Sequence, residues 1–171
     1  VIRHHGKLNV IVRVRVSGKD SDAKVPNVAA ICTLNDHEDR LDLQFSHYYP
    51  VPGAQNQFHI VHDPKSDLFW MTSNAVTGEA TDSWRGWGKE RRFLMLHYAR
   101  DGLNWFTAGC AAMWRMETQA FNYASLLIDG DDLLFVSRTA EHAHNQHDND
   151  KVTFHRIPDF RSRALDLTPA R

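Results

Sequence analysis

Three segments of this chain share one plan, and that plan limits what the chain can fold into. "VIRHHGKLNVIVRV", "HIVHDPKSDLFWMTSN" and "SLLIDGDDLLFVSRT" each run as an apolar strand, a tight polar turn and a second apolar strand. The turns hold His5-Gly6, Asp63-Pro64 and Asp129-Gly130, residue pairs suited to sharp reversals. His4 to Asp63 is about 59 positions and Asp63 to Asp129 about 66, the spacing of a repeated β unit with long loops. Two further strands fit between successive hairpins, giving four per repeat. That is the blade of a β-propeller, and the expected fold is all-β: a partial propeller of about three four-stranded blades. A β-sandwich is the competing arrangement of the same short strands.

The strand signal runs through the chain. Leu8–Val16 alternates apolar and polar residues with many β-branched side chains. Similar short runs follow at Val28–Leu34, Leu41–His47, Gln57–His62, Leu68–Ser73, Phe93–Ala99, Trp105–Cys110, Ala124–Ile128, Leu133–Ser137 and Val152–Ile157. No segment sustains a helical period. At 171 residues the chain is expected to form one domain, residues 1–171. It opens without Met and inside a hairpin, so we read it as the C-terminal half of a longer gene product, with no signal peptide visible.

Composition removes several function classes. The formal net charge is −1 with both signs intermixed, which gives no electrostatic footprint for nucleic acid. No apolar run approaches the roughly 18 residues of a membrane-spanning helix. Cys32 and Cys110 fit neither a metal spacing nor a disulfide framework. No cofactor motif is present.

If each shared hairpin joins strands one and two of a blade, the short turns lie on one face and the long connections on the other. The long-loop face then carries most of the Trp, Tyr, Asn, Gln and loop His residues, where function normally sits on a rigid scaffold. Its densest stretch is "SRTAEHAHNQHDNDKVTFHR", from Ser137 to Arg156.

"NQFHIVHDPKSDLFWMTSN", "YARDGLNW", "YASLLIDGDDLLFVSRTA" and "HNQHDNDKVTFHRIPDFR" together resemble the C-terminal part of bacterial sialidase-like glycoside hydrolases with Asp-box (BNR) repeats. The similarity spans most of the chain from about Asn56 onward. In "YARDGLNW" the Asp-box is altered, with Asp101 displaced and Asn104 in the place of the usual Thr. The resemblance implies a structural turn between strands three and four there, with Trp105 packed in the core. It also implies a six-bladed ring with a sugar bound at the centre of one face, and a secreted or periplasmic protein. The missing blades would come from upstream sequence or another chain. A true sialidase of this family carries an arginine triad for the carboxylate, a Tyr nucleophile with a Glu partner, and an Asp acid/base. Arg138 and Tyr123 are the suggestive matches.

Three chemistries compete for the histidine-rich loop. His142, His144, His147 and Asp148 are metal-ligand types in loop spacing, with Asn149 beside them, but no cysteine pair or helical His-Glu pattern accompanies them. A solvated loop would account for His142 and His144. Sugar recognition is the reading we carry forward, with no metal assigned. Arg138, His147, Asn149, His59 and Asn56 are the candidate substrate-binding residues, because hydroxyls and carboxylates in fixed directions require dual donor–acceptor and forked groups. His59 could instead be a satisfied core histidine, and Arg138 a structural partner of Asp132 or Asp148. Trp84 and Trp87 could form a stacking wall. Asp148, Glu117 and Tyr123 are the candidate catalytic residues, the two carboxylates being chosen for their nearness to the expected axis. The function expected is glycoside hydrolysis on complex or acidic glycans, and the alternative is a non-catalytic propeller binding glycan or protein.

Overall fold

The computed structural model describes residues 1–4, 6–14, 16–17, 24–75 and 90–165. The strands are β1 (Ile2–His4), β2 (Lys7–Arg13), β3 (Val16–Ser17), β4 (Lys24–Val25), β5 (Val28–Asp36), β6 (Leu41–Pro50), β7 (Phe58–Asp63), β8 (Leu68–Ser73), β9 (Phe93–Ala99), β10 (Phe106–Met113), β11 (Ala120–Asp129), β12 (Asp132–Ala140) and β13 (Lys151–Ile157). A single 3-10 turn, η1 (Phe160–Arg163), is the one helical element among the described residues. None is long and apolar enough to cross a membrane as a helix.

These strands form three antiparallel sheets, ordered β1-β2-β5-β6, β7-β8-β9-β10 and β11-β12-β13, with β3-β4 as a separate small ribbon. Each sheet is therefore a meander that opens on one of the three shared hairpins. The all-β expectation and the four-strand repeat hold for the first two sheets. The third has three strands among the described residues. Leu68–Ser73 and Phe93–Ala99 keep their expected bounds, and most other strands are longer than expected, β11 beginning at Ala120 and β6 running to Pro50. The run expected over Leu8–Val16 stops at Arg13, and Val16 pairs instead with Val25 in the small ribbon. Trp105 precedes β10 rather than opening it.

The sheets pack face to face. Between the first and second, Ala29, Val51, Ala54 and Met71 form a buried cluster against Ile11, Phe58, Ile60 and Trp105. Between the second and third, Trp70, Leu94, Leu96 and Tyr98 meet Leu126, Leu133 and Phe135. Phe160 from η1 closes that core, its ring edge-on to Trp70 at 4.8 Å between centroids. Period-2 alternation explains the division of labour: Trp70 and Met71 are neighbours in sequence and lie in different cores.

Turn chemistry fixes the hairpin ends. The Asp63 carboxylate accepts the N–H groups of Lys65 and Ser66, holding the β7–β8 turn. Asp101 does the same for Leu103 and Asn104 in the β9–β10 turn, and Trp105 packs in the core beside it. That is the structural turn between strands three and four expected of "YARDGLNW". Asp63 also ties η1 down. Arg161 reaches it through Nε at 2.6 Å and Nη2 at 2.8 Å, and reaches Asp131 through Nη1 at 3.0 Å. The guanidinium of Arg161, first, and then Ser66 and the turn N–H hold the Asp63 carboxyl well below its usual range, against the opposing effect of burial.

Two predictions follow from these contacts. Arg161→Ala leaves the buried Asp63 charge without its fork and should destabilise the fold by about 3 kcal/mol in urea unfolding. His97, 1% exposed, is pushed down to about 4 by burial. It is neutral in the folded chain, while in the unfolded chain it titrates near 6.5. Its stabilising contribution is thus complete above pH 6.5 and is lost as pH falls toward 4. Denaturation midpoints should decline across that window, and His97→Gln should flatten the decline.

Candidate functional site at the long-loop end

Antiparallel pairing places the β1–β2, β7–β8 and β11–β12 turns at one end of the sheets. The connections from strand two to three, and from each sheet to the next, lie at the other. Four sites converge at this second end: the end of β2, the segment before β7, the segment before β9, and the facing ends of β11 and β12. They bring Arg13, Asn56, Arg91, Tyr123 and Arg138 together.

Tyr123 is the centre of the group. It has φ 55, a left-handed conformation that costs a non-glycine residue energy, and it sits where the β11–β12 register shifts between Asn122 and Ser125. Backbone strain of this kind gathers at sites where a side chain must be aimed. The Arg138 guanidinium lies 5.0 Å from the Tyr123 ring centroid, a cation–π contact. The two salt bridges that Arg138 could have made are absent. Asp132 is taken by Arg156, and Asp148 accepts from Asn145 Nδ2.

Arg91 enters from the other side. Its Nε and Nη2 donate to Asn56 Oδ1 at 3.4 and 3.3 Å. Burial holds its guanidinium below the usual range; Tyr123 opposes that shift and the like charge of Arg13 adds to it. Among the described residues no carboxylate lies within salt-bridge distance of Arg13, Arg91 or Arg138. Asn56 is 2% exposed, and its Nδ2 is buried without a hydrogen-bond partner.

A buried polar network holds Arg91 in place. Gln146, 6% exposed, accepts the Arg91 N–H through Oε1 at 2.9 Å and donates through Nε2 to Glu90 and to the Glu117 carbonyl. Asn122 Nδ2 donates to the Gln146 carbonyl at 2.8 Å. Asn74 Nδ2 donates to the carbonyls of Arg91, Phe93 and Phe121. Glu90 forks onto Arg92. Burial alone would raise its carboxyl, but the Arg92 hydrogen bonds and charge, with Gln146, bring it below the usual range. Gln146 thus anchors the histidine-rich loop to the segment that carries Arg91.

The remaining candidates are distributed around this centre. His59 Nδ1 accepts the Leu126 N–H at 2.9 Å, so it joins β7 to the free edge of β11 as a satisfied core histidine. Burial chiefly lowers its pKa. His147 and Asp148 are exposed on the loop, organised by Asn145, whose Oδ1 accepts both their N–H groups. His147 lies beside Asp148 in sequence, but the Asp148 carboxylate accepts from Asn145 Nδ2 and no described acid pairs with the His147 ring. Asn149 is half-buried, with both amide atoms unpartnered. Glu117 is exposed, and no hydrogen bond joins its carboxylate to Asp148. No three His, Cys, Asp or Glu side chains among the described residues gather as a metal site. Trp84 and Trp87 lie outside the described residues.

Arg13 and Arg91 escaped the sequence reading, since neither belongs to a recognisable motif, and Gln146 and Glu90 were not singled out as site residues. The only early signal was their location in or beside the long connections. Comparison with known protein families, with curated proteins and with solved structures found no match to this chain.

Proposed function

We propose that the chain is part of a β-propeller whose long-loop end binds an acidic glycan, as in sialidase-like glycoside hydrolases. The observation that carries this reading is Arg138 over the Tyr123 ring with Arg91 beside them, close enough to Arg13 to feel its like charge, and no described carboxylate to neutralise the three. Guanidinium forks match carboxylate geometry and bind it through charge-assisted hydrogen bonds. At Arg91, the partly buried member of the three, that attraction is stronger than in water. Asn56, with an amide N–H group to spare, extends the donor set toward a hydroxyl or a second carboxylate oxygen.

In this reading the strained Tyr123 presents its phenol to the bound sugar, and His147 and Asn149 line the rim on the loop held by Gln146. Asp148 and Glu117 are the carboxylates available for proton transfer. Further sheets, from upstream sequence or from another chain, complete the ring, and the protein works outside the cytoplasm, where such glycans occur.

A specific observation favours the second reading, glycan binding without hydrolysis. A phenol nucleophile needs a base, and among the described residues no carboxylate hydrogen-bonds Tyr123. Glu117 and Asp148 are not paired around it.

One experiment separates these readings. Isothermal titration with a carboxylate-bearing glycan and its methyl ester should show preference for the free acid. Arg91→Ala, Arg138→Ala and His147→Ala should each weaken binding at least about tenfold, roughly 1.4 kcal/mol, and His142→Ala should change little. Turnover of a fluorogenic glycoside panel, abolished by Tyr123→Phe, supports hydrolysis; binding without turnover supports the second reading. Unchanged affinity in all the variants, with folding intact, removes both.

A further inference from the structure

The first and last sheets each turn an apolar face away from the rest of the protein. On the third sheet Leu127, Val136 and Phe154 are 63, 44 and 65% exposed, and Val136 stands directly opposite Phe154 across the β12–β13 pair. On the first sheet Leu43 and Phe45 are 53 and 57% exposed on β6, opposite Leu34 and Cys32 of β5. Single exposed apolar residues are ordinary, but contiguous faces of this kind mark interaction surfaces.

The repeat says what kind of surface each is. Counted from the turns, Ile11, Thr72 and Val136 hold equivalent positions, and Trp70 lies on the same face of β8 as Thr72. Ile11 packs into the core between the first and second sheets, and Trp70 is fully buried between the second and third. Val136 makes the same presentation with no described sheet to receive it. The receiving side repeats too. Met71, fully buried against the first sheet, corresponds to Val10, whose face of β2 also carries Val12, 36% exposed. Among the described residues, one presenting face and one receiving face are therefore left unmatched.

Charge agrees with this match. At the seam between the second and third sheets, Lys65 and Asp131 pair across adjacent hairpin turns at 2.5 Å. At the two unmatched faces the corresponding turns carry an exposed Asp129 on the third sheet and an exposed Arg3 on the first, where Arg3 donates to its own turn at Gly6. Opposite charges would meet at the same end of the new seam.

We propose that the occupant is a second copy of this chain: the last sheet of each copy packs on the first sheet of the other. Such a contact would be head-to-tail, and two copies joined by it twice would make a two-fold ring of six sheets, within the range that closed sheet rings use. The proposal rests on the propeller arrangement above.

Sedimentation equilibrium and small-angle scattering of the 171-residue chain test it. The expected result is a dimer with the scattering of a closed ring. Phe154→Glu and Phe45→Glu should each convert it to a monomer at least about a hundredfold more readily on dilution, with cooperative melting preserved because both side chains are exposed. A monomeric parent chain overturns the pairing, and if its scattering fits a three-sheet wedge the propeller arrangement survives. A dimer indifferent to both substitutions also overturns it. So does a sensitive dimer with an extended, unclosed profile, which counts against the propeller arrangement as well.

Discussion

A sheet with apolar side chains on both faces must be covered twice, and the rest of this structure follows from that demand. The middle sheet meets it completely: Met71 and its neighbours serve one core, Trp70 and its neighbours the other. Burying a large side chain such as Trp70 contributes on the order of 3 kcal/mol, so the stacking of whole sheets outweighs any single polar contact. The hairpin turns, the Arg161 fork and η1 keep the seam between the second and third sheets in register. They orient the stack rather than drive it.

At the opposite end of the strands the same stacking brings loops from different sheets within reach of one another. Here the balance changes from area to hydrogen bonding. Gln146, Asn74 and Asn122 are buried amides whose partners are mainly backbone groups of other segments. A buried amide left unpaired costs about 1–3 kcal/mol, so each of these side chains admits few alternative loop positions. The Arg91 backbone is held from both its N–H and its carbonyl, and its guanidinium from Asn56. A cluster of like charges can persist under such constraint, where flexible arginines would separate.

Much of the scaffold was legible in the residue order because its signals are local. Period-2 alternation gave the strands and the turn residues the hairpins, while the Asp101 loop came from the Asp-box resemblance of "YARDGLNW". The site was only partly legible. Arg138, Tyr123 and Asn56 stood out by type and position, yet Arg91 joins them through contacts about 35 positions apart in sequence, for which no spacing rule exists. His59 shows the converse limit: its residue type suggested a ligand-facing group, and a backbone N–H of the neighbouring sheet claims it. Adjacency suggests a pairing of His147 with Asp148, but that carboxylate accepts from Asn145 Nδ2 instead.

The bulge at Asn122–Ser125 has a consequence for how this chain can change over evolutionary time. Past the bulge, every residue of β11 faces according to a count that includes the extra position. Substitutions at 123 can exchange the phenol for another group, which then occupies the same address. Insertions or deletions there act differently. A single deletion would even the count between Asn122 and Ser125, leaving Leu126 opposite Phe135 in the core but removing the left-handed position that aims residue 123. The chemistry of the site is thus open to mutation, while its location is locked to the length of the strand.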